Sequence, residues 1–163
     1  METHTNGLVI AGVLMQASDI MTKTVVSVTR ETRLRQVARI LLENRVSAVP
    51  VLDSDGKVIG MISEGDLIGR DEAAERQARR DWWLTLLAEG EALNPEFLAS
   101  LRDLDRSAQD VMSAPAITVD PTTALRDIAS LLAARNIKRV PVVRDGRMVG
   151  IISRADLLSA FAA

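Results

Sequence analysis

Val49-Pro50-Val51 and Val140-Pro141-Val142 are the same tripeptide, met twice at a separation of 91 positions. The likeness extends outward from this pair in both directions. Upstream, at the same shift, Leu34-Arg35 meets Leu125-Arg126, Val28 meets Val119, and Asp19-Ile20-Met21 meets Asp110-Val111-Met112. Downstream, after one deletion, Asp55-Gly56 meets Asp145-Gly146, Gly60 meets Gly150, and Ile62-Ser63 meets Ile152-Ser153. Asp66-Leu67 then meets Asp156-Leu157. Chance does not align so many residues in one order. The chain is a duplication, and an internal repeat takes precedence over any local reading.

Each copy reads as β-α-β-β-α. A short run rich in β-branched residues comes first: Val25, Val26 and Val28 in one copy, Ala116, Ile117 and Val119 in the other. Thr29 and the Asp120-Pro121 pair then read as helix starts, with Asp as N-cap and Pro at the first helical position. Leu34, Val37, Ala38, Leu41 and Leu42 form one apolar stripe at helical spacing; Leu125, Ile128, Ala129, Leu132 and Ala133 form its partner. The runs 48–52 and 139–143 follow as strands, then an Asp-Gly turn, then strands over 58–63 and 148–153. A last helix begins at about Glu64 and Arg154. The expected fold class is α/β, of the α+β type, with the two units packed as a pair around a helical insert.

The expected organisation is a leader over 1–17, repeat 1 over 18–70, a helical insert over 71–108, and repeat 2 over 109–163. The leader reads as flexible or as docking along an edge. Its apolar run, Leu8 to Met15, is too short to span a bilayer, and residues 1–7 carry no Lys or Arg for a signal peptide. In the insert, Ala78, Trp82 and Leu86 predict a charged helix over 71–89, and Asn94-Pro95 starts a second short helix. Adjacent Trp82 and Trp83 point in different directions on a helix; they read as a packing surface or partner contact, with a ligand stack as the alternative.

With 163 residues, 47% of them hydrophobic, the chain can build a real core, although aromatics are only 2%. It has no cysteine, which excludes disulfides, thiolate nucleophiles and Cys-based zinc sites, and is compatible with a cytoplasmic location. The net charge of −2 is spread as alternating signs, so a general nucleic-acid surface is not expected. The single histidine is His4, and no G-x-S-x-G, Walker or H-E-x-x-H motif is present. These absences point away from an enzyme.

Three duplicated or paired polar features remain. Ser63-x-x-Asp66 and Ser153-x-x-Asp156 stand where the last strand meets the last helix. They read either as capping boxes or as an anion- and diol-binding corner, and the two roles are compatible. Pro50 and Pro141 lie inside strands, which implies either edge strands or backbone groups freed for another use. Lys138-Arg139 stands where the first copy has Ser47-Ala48, and reads as a phosphate contact or as an exposed strand end.

The order Asp-Ile-Met-Thr, helix, Val-Ser-Ala-Val-Pro-Val-Leu-Asp, Asp-Gly, Val-Ile-Gly-Met-Ile-Ser-x-x-Asp-Leu resembles the cystathionine-β-synthase (CBS) domain. Residues 18–70 and 109–162 each resemble one copy, about two-thirds of the chain. The whole is similar to a stand-alone bacterial CBS pair. The resemblance implies a pseudo-twofold pair that binds adenosyl ligands (AMP, ATP, NAD or S-adenosylmethionine) in two clefts, dimerises further and signals to a separate effector protein. One site would join Ser63 and Asp66 to Ile117, Ile137, Lys138 and Arg139. The other would join Ser153 and Asp156 to Thr24, Val26, Val46 and Ser47. Only the first has a basic pair, so phosphate is expected to bind better there. The alternative function is a dimerisation scaffold with vestigial sites.

Overall fold

The computed structural model describes residues 9–10, 13–68 and 105–163. A two-residue pairing of β1 (Val9–Ile10) with β2 (Val13–Leu14) precedes the first repeat. That repeat holds α1 (Ala17–Ile20), β3 (Val28–Thr29), α2 (Leu34–Asn44), β4 (Ala48–Leu52), β5 (Val58–Ser63) and α3 (Glu64–Ile68). The second holds α4 (Ala108–Val111), α5 (Leu125–Arg135), β6 (Arg139–Arg144), β7 (Arg147–Ser153) and α6 (Arg154–Ala162). The architecture is the expected mixed α/β pair of repeats. The expected insert helices with Trp82 and Trp83 lie outside the described residues.

Each sheet is built on one hairpin. In the first, β4 pairs antiparallel with β5 and parallel with β3. In the second, β6 pairs antiparallel with β7, and Val119 alone bridges to Val142 where β3 has its counterpart. The hairpin turns differ by the one-residue deletion. Asp145 and Gly146 both take positive φ, 52° and 81°, as a two-residue primed turn requires. The longer first turn needs only Gly56 at φ 79°, and the Asp53 side chain ties it by accepting from Asp55 and Lys57 N–H at 2.9 Å each.

Two expectations are corrected. The long helices begin at Leu34 and Leu125, well after Thr29 and Asp120-Pro121. Those residues form turns instead: Asp120 Oδ1 accepts from the N–H and hydroxyl of Thr122, and Thr32 Oγ1 accepts from Thr29 N–H. The turn is held open because Pro121 and Thr123 carbonyls accept from Ser18 and Ala17 N–H, so these groups are engaged outside any helix. The first strand is also shorter than expected. It keeps only Val28–Thr29 in one copy and a single bridge at Val119 in the other.

The shortened strand explains the prolines. Pro50 does not lie on an edge: it is fully buried in β4, the middle strand of its sheet, whereas Pro141 lies in β6, whose outer side is met only by the Val119 bridge. In the second repeat Val119 N–H donates to Pro141 O at 3.0 Å, and Val143 N–H donates to Val119 O at 2.8 Å. The nitrogen of Pro141 therefore faces the position before Val119, where the chain has already left the ladder. A missing N–H leaves no carbonyl unsatisfied there.

The two cores are interlocked. One joins Val28, Leu34, Val37, Leu41, Val49, Val51, Ile62 and Leu67 of repeat 1 to Ala108 and Val111 of α4. The other joins Val119, Leu125, Ile128, Leu132, Val140, Val142, Ile152 and Leu157 to Ala17 of α1. Each short leading helix thus packs into the other repeat's core. Backbone bonds fix the exchange: Ser113 N–H and Met61 O, and Thr22 N–H and Ile151 O, pair at 2.9 Å in equivalent places. The repeated Asp-Ile/Val-Met now has a local account. Asp19 and Asp110 accept from the N-cap backbone of α1 and α4, at 2.8 and 3.0 Å. Met21 lies against Gly150 and Met112 against Gly60, where a Cβ would come within 2.6 and 2.8 Å of the respective Sδ atoms. The glycines are kept bare for the methionines of the opposite repeat.

Candidate functional site

A cleft of about 280 Å3 opens between the repeats. Its first wall comes from the start of β4 and the β5–α3 junction: Ser47, Ala48, Met61, Ser63, Glu64, Gly65 and Asp66. Its second comes from the segment after α4 and the entry to β6, including Ser113, Ile117, Ile137, Lys138 and Arg139. The early end of the first strand makes this possible, because residues 115–117 are released from the sheet to face the other repeat.

At the β5–α3 junction, Asp66 Oδ2 accepts from Ser63 N–H at 2.8 Å and from the Ser63 hydroxyl at 3.1 Å. The counterpart in repeat 2 is a full capping box: Ser153 Oγ accepts from Asp156 N–H at 3.2 Å, and Asp156 Oδ2 accepts from Ser153 N–H at 2.8 Å. Capping therefore occupies one oxygen of each carboxylate. Among the described residues, Oδ1 of either Asp accepts nothing, which leaves one acceptor for a ligand hydroxyl.

The basic pair divides its roles. Lys138 is exposed at the cleft rim, whereas Arg139 is half-buried in the wall. Arg139 Nη2 donates to Ser47 Oγ of the other repeat at 3.2 Å. Its Nε is buried and has no hydrogen-bond partner among the described residues. Burial pulls the guanidinium below its ordinary value, while the carboxylates of Asp156 and Glu64 draw it back up.

All six residues expected for the first site, Ser63, Asp66, Ile117, Ile137, Lys138 and Arg139, line this one cleft. Of those expected for the second, Ser153 and Asp156 form the capping box at the start of α6. Thr24 is exposed, Val26 and Val46 pack half-buried against the first core, and Ser47 lines the first cleft. Arg154 is exposed and donates from Nε to Ile137 O at 3.2 Å. Sequence reasoning missed Glu64, Met61 and Ser113 as lining residues. Glu64 had a signal, since it faces Arg154 in the repeat alignment and reverses its charge. Met61 and Ser113 had none, because their bridge exists only once the repeats interlock. No group of three or more His, Cys, Asp or Glu that could hold a metal lies among the described residues. No helix among them is long and apolar enough to cross a membrane.

Residues 17–72 and 108–163 each match the CBS domain family. The chain belongs to the CBS-domain family. Over 98% of its length this CBS pair is 36% identical to an uncharacterised protein of Methanocaldococcus jannaschii, of which it covers 99%. CBSX2, crystallised in complex with AMP, shares the fold: TM-score 0.64, 23% identity, 90% of this chain and 96% of that one. The full Arabidopsis thaliana CBSX2 is longer, and the chain spans 55% of it. The CBS pair of a second protein, MJ0100, in complex with 5′-methylthioadenosine and S-adenosyl-L-methionine, also superposes, at TM-score 0.64 and 21% identity over 91% of this chain and 96% of that one.

Proposed function

We propose that this CBS pair is a regulatory module that binds an adenosyl ligand of the AMP, ATP or NAD kind between its repeats and signals to a separate partner protein. The observation that carries the reading is the cleft itself. Asp66 offers an unused acceptor to a ribose diol, Ile117 and Ile137 offer apolar surface to a base, and Lys138 and Arg139 offer charge to a phosphate. The residues come from both repeats, so a bound ligand acts on their relative position. The adenosyl complexes of the fold relatives supply the ligand class. The lining holds no histidine or cysteine, which fits sensing better than turnover. Exposed Leu158 and Phe161 on α6 offer apolar surface for a homodimer contact.

The test is thermal stability with AMP, ADP, ATP, NAD and S-adenosylmethionine. A ligand at a hundred times its dissociation constant stabilises by about 2.7 kcal/mol, which raises the melting temperature by several degrees. No rise with any of them at millimolar concentration supports the second reading, a scaffold with vestigial sites. That reading draws on the capping role of Asp66 and Asp156, which accounts for both residues without a ligand.

A further inference from the structure

Among the described residues, four ionisable side chains line the cleft, Glu64, Asp66, Lys138 and Arg139, and the formal charges of these four cancel. Glu64 is the unusual member. It is only 6% exposed, one of two buried polar residues among those described. Its backbone N–H donates to Ser47 O at 2.9 Å, which fixes it at the first position of α3, inside the cleft wall. The aligned residue of repeat 2 is Arg154, exposed and opposite in charge. A duplication that repeats its Ser-x-x-Asp corner has placed a buried acid in one copy only.

That acid limits what the basic pair can do. The Arg139 guanidinium lies within the influence of Asp156 and Glu64 and is bonded to Ser47, so an incoming anion has to compete for it. Lys138 is the cleft cation whose side chain makes no bond among the described residues. One exposed lysine and a shared arginine suit one phosphate. A polyphosphate adds negative charge beside a poorly solvated carboxylate, where like charges repel strongly. Space argues the same way, since about 280 Å3 lies at the small end of ligand sites.

Resting on the adenosyl reading above, we infer that Glu64 is a specificity-determining residue: it restricts this cleft to adenosyl ligands carrying at most one phosphate and discriminates against nucleoside polyphosphates.

Methyl NMR titration of the full chain tests this, because Ile117 and Ile137 report on this cleft. Adenosine, AMP, ADP and ATP are titrated into wild type, Glu64→Gln and Lys138→Ala. Wild type is expected to bind AMP at least about tenfold more tightly than ATP, and Glu64→Gln to remove most of that preference. Lys138→Ala, a change at an exposed side chain, is expected to bring AMP down to the level of adenosine. Equal binding of AMP and ATP by wild type overturns the inference while leaving the adenosyl reading intact. So does an undiminished preference in folded Glu64→Gln. Should that variant not fold, the wild-type preference and the Lys138→Ala result decide. Binding of none of the four overturns the adenosyl reading, and the inference with it.

Discussion

Arg139 and Ser47, 92 positions apart, meet side chain to side chain across the repeats, Nη2 to Oγ at 3.2 Å. The guanidinium also senses Asp156 and Glu64, one from each repeat. A single half-buried cation therefore stands between two copies of the same polar corner. Arg139→Leu removes it while keeping most of the packing volume. The expected result is a loss of roughly 1–3 kcal/mol in denaturant unfolding, since the carboxylates lose a shared counter-charge. Unchanged stability would show that the cross-repeat bond contributes nothing net.

Asp66 serves the helix through Oδ2 and has Oδ1 to spare, so the two roles can be separated. Asp66→Asn keeps an oxygen for the cap but turns an NH2 toward the cleft. Asp66→Ala removes both. Stability is expected to fall on the order of 1 kcal/mol in the alanine variant and less in the asparagine variant. AMP binding is expected to weaken at least about tenfold in both, as a lost charged acceptor implies. An asparagine variant that binds AMP normally would leave only the capping role.

Gly60 and Gly150 are equivalent in sequence but not in what surrounds them. A Cβ on Gly150 meets Met21 Sδ, Cγ and Cβ at 2.6, 2.8 and 3.0 Å, all on one side chain. A Cβ on Gly60 meets Met112 Sδ at 2.8 Å and also the Ser113 carbonyl at 2.9 Å. Each Gly→Ala change is expected to destabilise by roughly 1–3 kcal/mol through overpacking. Met21→Ala should recover much of the Gly150→Ala loss, whereas Met112→Ala should recover little of the Gly60→Ala loss, because the backbone oxygen stays. Thermal melts of the two double-mutant cycles distinguish the cases.

Acid stability follows from three surface carboxylates held below their ordinary value of 3.8. Asp53 is lowered by the Lys57 N–H and then that of Asp55, Asp110 by the Ser107 N–H and hydroxyl, and Asp120 by the Thr122 N–H and hydroxyl. Each pKa is lower folded than unfolded. The stabilisation is therefore complete above the unfolded value and is lost as pH falls through the folded ones. Melting temperature is expected to fall off below about pH 4, less steeply when Asp53 is replaced by Asn. A decline already setting in near pH 6 would contradict this account, and the only histidine, His4, lies outside the described residues.

Much of this was legible in the chain. The long helices and both hairpins follow from periodicity, turn chemistry and the repeat, whereas the grouping of the first site's six residues came only with the resemblance to the CBS domain. What escaped has a common cause. The helix starts misread because Asp120-Pro121 has the chemistry of a cap, yet the Pro121 and Thr123 carbonyls are claimed by Ser18 and Ala17 from far away. The prolines stayed between two readings because the neighbouring strand stops early, and no local pattern announces that. Glu64 escaped because a duplication draws the eye to residues that agree. Its meaning lies in the disagreement with Arg154.

The exchange of α1 and α4 carries a consequence for what was duplicated. Cut between the copies, the chain yields two fragments, each lacking the helix that closes its own core and each carrying the one its neighbour needs. A single copy is therefore complete only when it faces a second, trading arms across a twofold axis. The covalent link in this protein turns such a trade between two molecules into one within a chain. It also frees each half to drift from its twin, as Glu64 and Arg154 have.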